Sequence, residues 1–154
     1  MSKVHVERSS QEMGGSAYFA GTMAAGVAEY DFPTNWLAHP KARFCIDWLF
    51  VILTTVSTVG NRTLRVGLFE TTSNAWISSM FAGVVQVASA TGNYLFAPGL
   101  AHVGTAVGTL VTAPWTPSWA SADGIRGVPV IRLEHAVSAS DTFTVGVGYR
   151  YEEA

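Results

Sequence analysis

Between Glu70 and Asp123 the chain contains no aspartate, glutamate, lysine or arginine. A small monomer's surface normally carries charges of both signs, and a segment this long does not fit inside the core of a 154-residue chain. Part of it therefore has to face another protein subunit, a lipid or an uncharged ligand. Its many threonines, serines and glycines argue against a lipid-facing span. Over the whole chain, charged residues are 13% of the total, against about 25% in an average soluble domain. The apolar share, 49%, is ordinary. Small neutral residues have taken the place of charge, and composition points to assembly.

Other absences narrow the field. A single cysteine, Cys45, excludes an internal disulfide, and its setting between Phe44 and Ile46 is that of a small hydrophobe. The nine lysines and arginines are scattered and the net charge is -2, so no basic stripe exists to displace counterions from DNA or RNA. Residues 1–15 lack the apolar core of a secretion signal. The most apolar window, residues 95–113, is interrupted by Pro98, three glycines and four threonine or histidine positions. That is a poor match to the ~20 apolar residues of a membrane helix.

What remains is strand-like. No stretch shows a sustained apolar stripe of helical period, whereas alternation of period two recurs from Ala42 onward. Phe44, Ile46, Trp48, Phe50 and Ile52 share one face, with Arg43, Cys45 and Asp47 on the other. Leu49, Val51 and Leu53 then make the second face apolar too, which predicts a strand covered on both sides. After a turn at Thr58-Val59-Gly60-Asn61, Leu64, Val66 and Leu68 point inward and Thr63, Arg65 and Gly67 outward. A turn over residues 71–74 precedes one or two strands in residues 84–96, interrupted near Gly92-Asn93. Residues 98–123 read as short strands and a long loop that carries Trp115 and Trp119. Alternation returns at Ile131, Leu133, His135 and Val137. It is cleanest in the last strand, where Phe143, Val145, Val147, Tyr149 and Tyr151 oppose Thr142, Thr144, Gly146, Gly148, Arg150 and Glu152.

These features predict an all-β chain: an antiparallel β-sandwich, jelly-roll-like, over residues 36–154. Residues 1–35, with Gly14, Gly15, Gly21 and Gly26 breaking any long element, predict an extended N-terminal arm. Such an arm lies either on a neighbouring subunit or on its own domain.

Candidates for chemistry are few. There is no nucleophile elbow, phosphate loop, zinc-protease helix or paired-cysteine motif. His5, His39, His102 and His135 are far apart, and their spacing predicts no metal site. His135, Ser138, Ser140 and Asp141 are the residue types of a hydrolase triad, but adjacency in sequence is not triad geometry. Ser138-Ala139-Ser140-Asp141 reads as a turn whose side chains bond nearby backbone amides. Asn61-Arg62-Thr63 fits a glycosylation sequon, with Asn61 suited to its turn. The loop Pro114-Trp115-Thr116-Pro117-Ser118-Trp119 is the leading ligand-binding candidate, because exposed tryptophans stack on sugars or pack into a partner. Folded back, the same loop would instead cover one end of the sandwich.

Three stretches carry a resemblance. Residues 48–68 run from an apolar strand through Val59-Gly60-Asn61-Arg62 to Leu64-Arg65-Val66. Residues 86–99 hold Gln86-Val87-Ala88-Ser89 and Tyr94-Leu95-Phe96-Ala97-Pro98-Gly99. Residues 127–153 hold Val130-Ile131-Arg132 and Ser138-Ala139-Ser140-Asp141, and close in Glu152-Glu153. Over roughly residues 44–153 the pattern resembles small β-sandwich virion proteins of tailed bacteriophages. It departs from them in the tryptophan-rich loop and the uncharged middle.

The resemblance implies a non-enzymatic structural protein without cofactors, most simply a capsid decoration (cement) or minor capsid protein at the capsid surface of the virion. A head–tail connector, collar or tail component of the same particle is the alternative. Its partners would be further copies, as a trimer, and the major capsid protein, with neither nucleic acid nor membrane contacted directly. The candidate interface residues are Tyr18, Phe19, Tyr30, Phe32, Trp76, Trp115 and Trp119. Two readings of other classes stand beside it: a carbohydrate-binding module using Trp115 and Trp119, and a small hydrolase using His135 and Asp141.

Overall fold

Ten strands make up the secondary structure of a computed structural model that describes residues 14–23, 29–33, 42–104, 110–115, 119–120, 129–134 and 140–153. They are β1 (Gly14–Thr22), β2 (Glu29–Pro33), β3 (Ala42–Thr54), β4 (Arg62–Glu70), β5 (Ala75–Gln86), β6 (Thr91–Ala97), β7 (Leu110–Pro114), β8 (Trp119–Ala120), β9 (Pro129–Glu134) and β10 (Thr142–Glu153). The larger sheet has the order β1-β10-β3-β6-β7, with β8 added to the free end of β3. The smaller has the order β2-β9-β4-β5. With β7 and β8 set aside, the sheet orders β1-β10-β3-β6 and β2-β9-β4-β5 are those of a jelly roll. The all-β sandwich expected from the sequence is the observed fold. Among the described residues, no helix is long and apolar enough to cross a membrane.

One pair departs from the antiparallel expectation: β6 and β7 are parallel. Residues 98–109 between them are long enough to return the chain to the starting edge. There Val103 bridges Thr112 in the antiparallel sense.

The inner faces close on one another through Leu64, Val66 and Leu68 of β4 and Val145 and Val147 of β10, none more than 1% exposed. The alternation read in these two strands is the observed one. In β3 it holds only when a bulge is allowed. Gly148 pairs with Trp48 but Tyr149 with Ile46, so Asp47 is an extra residue and the strand's phase flips there. Phe44 and Ile46 point inward before the bulge, and Leu49, Val51 and Leu53 after it. The strand is therefore not covered on both sides, as its two apolar faces had suggested. Trp48, Phe50 and Ile52 point outward, half-buried.

The expected arm is, where described, part of the sandwich. β1 pairs along its whole length with β10, and β2 with β9, placing one at the edge of each sheet. The glycines did not break β1, because Gly14 and Gly15 face β10 so closely that a Cβ would lie 2.3 Å from the Tyr149 carbonyl oxygen and 2.7 Å from the Tyr149 hydroxyl. The interruption expected near Gly92-Asn93 falls instead over residues 87–90. Gly92 lies inside β6, where it leaves room for the Tyr94 ring. The turn over residues 71–74 is observed, with Asn74 in the left-handed region at φ 54°.

Candidate interaction surface

The two outer faces of the sandwich differ in charge. On the smaller sheet, Arg132 forms a bidentate pair with Asp31 at 2.7 and 2.8 Å, reaches Glu29 at 3.1 Å and lies 3.5 Å from the Phe69 ring centroid. The Asp31 hydrogen bond is the main reason the Arg132 pKa is raised further. Arg65 sits 4.0 Å above the Trp76 ring and donates to Ser79. This face carries charge of both signs with its ions paired, alongside the half-exposed apolar side chains of Phe81 and Val85.

The outer face of the larger sheet carries no charge over its central rows. Cross-strand pairing lines up Tyr18, Gly146, Phe50, Leu95 and Thr112 in one row, and Ala20, Thr144, Ile52, Asn93 and Leu110 in the next. A third row contains Ser16, Gly148 and Trp48. Among the described residues, charge appears on this face only at one end, where Arg150 meets Asp47 at 2.9 Å. Threonines close the other end, with Thr54 and Thr91 hydroxyls 3.0 Å apart. Tyr18 is 63% exposed and Leu110 49%.

Glycines shape this surface. A Cβ on Gly148 would lie 1.9 Å from the Trp48 indole nitrogen, and one on Gly146 would lie 2.9 Å from the Tyr18 ring and 3.3 Å from that of Trp48. Both rings thus lie down on the bare backbone of β10, filling the space left by the missing side chains. Beside them runs an open groove of about 460 Å3 lined by Tyr18, Trp48, Phe50, Leu95 and Ala97, whose walls are almost wholly carbon.

The residues singled out from the sequence fall in different places. Tyr18 stands on the uncharged face. Phe19, Tyr30 and Phe32 do not: Phe32 is buried, and its ring packs against those of Phe19, Tyr30 and Phe143 at 4.8–5.3 Å. Trp76 is half-buried between Phe69 and Arg65 on the smaller sheet. Trp115 is only 2% exposed, and its Nε1 donates to the Ile46 carbonyl at 2.7 Å. It plugs the end of the core and has no face to offer a sugar, which takes Trp115 out of the pair expected there. Trp119 pairs through its backbone with Cys45, and its side chain lies outside the described residues. Sequence reasoning missed Trp48, Phe50 and Leu95; for the two on β3 the signal was the phase flip at Asp47, readable only once β10 is known as the neighbour.

Of the residues weighed for chemistry, Asp141 has a structural partner. Asp141, the candidate acid, is 0% exposed and paired with Arg62; the turn expected at Ser138-Ala139-Ser140-Asp141 lies largely outside the described residues. His5, His39, His135 and Ser138 lie outside the described residues. No cluster of three or more histidine, cysteine, aspartate or glutamate side chains able to hold a metal occurs among the described residues. Burial, followed by the nearby charge of Asp47, pushes the Cys45 thiol above its usual pKa, so it stays protonated as a packing group. Compared with known protein families and with curated proteins, the chain matches none.

Proposed function

We propose that this chain is a non-enzymatic structural protein of a virus particle, a decoration or minor capsid protein that acts by burying surface against neighbouring subunits. The supporting observation is the charge-free outer face of the larger sheet. Strand faces of threonine, glycine, alanine and aromatic residues pack between subunits without stranding ions, whereas each unpaired charge would cost several kcal/mol. The jelly-roll sandwich is used by capsid proteins, and also by lectins and cupins, so the fold is compatible with the reading without selecting it. The resemblance over roughly residues 44–153 supplies the setting.

Mass spectrometry and imaging of purified particles test it. The expected result is the chain present in many ordered copies on the capsid, with particles lacking it less resistant to heat. Ring-shaped density at the portal vertex would favour the connector, collar or tail alternative. Absence from particles that are otherwise complete would overturn the reading.

A further inference from the structure

The identity of the partner can be taken one step further, on the premise that the protein works by association. We propose that the outer face of the larger sheet is covered by the same face of a second copy, two large sheets packing against each other about a two-fold axis. Charge selects this occupant. A surface rich in both signs of charge, as an ordinary soluble protein has, with about 25–35% of its residues charged, laid on the rows of Tyr18, Phe50 and Leu95 would bring ions out of water with no counter-charge to meet them. A copy of the face brings none. In such a pair the smaller sheets, with Arg132, Asp31, Glu29 and Arg65 on their outer surfaces, both point to water.

Shape and size agree. With Trp48 and Tyr18 lying on Gly148 and Gly146, the face is low enough for a second sheet to approach at the ~10 Å spacing of stacked sheets. The five strands β1, β10, β3, β6 and β7 at ~4.8 Å separation, over about seven residues each, give roughly 500 Å2 in plan. The accessible area of a surface studded with side chains is larger than its plan, so the face is of the order of a specific interface, at the small side of the ordinary ~800 Å2 per partner. Its anatomy also fits, with an apolar centre and a polar rim formed by the Arg150–Asp47 pair at one end and Thr54 and Thr91 at the other. The unit is then an isologous dimer, in place of the trimer that a capsid position suggested.

Sedimentation and native mass spectrometry of the full chain over a concentration series provide the test. Wild type is expected to be a dimer. Leu95→Lys and Leu110→Lys, both on the outer face, should weaken dimerisation about tenfold or more with far-UV dichroism unchanged. Phe81→Lys, on the outer face of the smaller sheet, should leave it intact. A wild-type monomer at every concentration, or folded face variants that dimerise as wild type does, would overturn the proposal. The structural reading is tested separately by particle incorporation. Monomeric wild type whose Leu95→Lys variant fails to incorporate means another protein occupies the face, so only the second-copy proposal falls. Monomeric wild type absent from particles overturns both.

Discussion

Arg62 and Asp141, 79 residues apart in sequence, form a bidentate ion pair with both side chains 0% exposed. Arg62 Nε donates to Oδ2 at 3.0 Å and Nη2 to Oδ1 at 3.2 Å. Nη1 donates to the carbonyls of Thr58 and Gly60, and Oδ1 also accepts the Val56 amide at 2.9 Å. The pair ties the β3–β4 turn to the start of β10, and through the Met23 amide, which donates to the Asp141 carbonyl, to the end of β1. β1, the end of β3 and the start of β10 are thereby linked at this end, the contacts between Arg62 and Asp141 being charge-assisted.

Removing one partner strands the other. Asp141→Ala is expected to destabilise the domain by about 3–5 kcal/mol, because Arg62 is left charged and dry. Replacing both with apolar residues of similar volume, as in Arg62→Met/Asp141→Leu, should cost much less. Chemical denaturation of the two variants checks this. Equal losses would show that the pair is not the unit that matters.

How far the sequence could be read follows from what each inference needed. The inward faces of β4 and β10 needed only alternation, which local sequence carries. Asp141 looked like a turn residue because its nearest neighbours were small and polar; its ion-pair partner Arg62 is remote in sequence, and spacing does not report it. Trp115 looked like a binding residue because its neighbours are prolines and serine. Its burial depends on the Ile46 carbonyl, a backbone acceptor with no residue-type signature. The uncharged interval after Glu70 was visible at once, yet the uncharged face also takes Tyr18, Trp48, Phe50, Ile52 and Thr144 from strands outside that interval. Composition announced the neutral surface, and only topology assembled it.

Tyr94 gives the stability an alkaline limit. Its ring is 2% exposed and its hydroxyl donates to Gln86 Oε1, while Gln86 Nε2 donates to the carbonyls of Leu53 and Ala90. Burial raises its pKa to about 12 from the ordinary 10. The folded state thus keeps a proton that the unfolded chain gives up, so the stabilisation is complete below pH 10 and is lost as pH rises to about 12. Two units correspond to about 3 kcal/mol. Thermal melts between pH 9 and 12 should show this decline, and Tyr94→Phe should flatten it while losing a hydrogen bond. An unchanged slope in Tyr94→Phe would assign the alkaline loss elsewhere.

Gly148→Ala tests how the uncharged face is built. The added methyl would occupy the site of the Trp48 indole, which has to lift off the sheet into water. A destabilisation of about 1–3 kcal/mol is expected from the overpacking, together with a red shift of the Trp48 part of the emission. That part is isolated by comparison with Gly148→Ala/Trp48→Phe. Emission identical to wild type would mean that the ring does not lie on β10.

Truncation separates the two expectations for the N-terminal region. An arm reaching to another subunit could be deleted through residue 30 without harming the fold. In the structure that deletion removes all of β1, bares the edge of β10 and takes away Tyr30, whose ring meets Phe143 at 4.7 Å and Phe32 at 4.8 Å. An exposed edge strand pairs readily with other chains. The truncated protein should therefore melt lower and aggregate, with Tyr30→Ala alone reproducing part of the loss in melting temperature because the aromatic cluster sealing this edge is opened. A truncated chain that melts as the full one does would show that β1 adds nothing to the sandwich, and that its place at the edge of the larger sheet is not what closes β10.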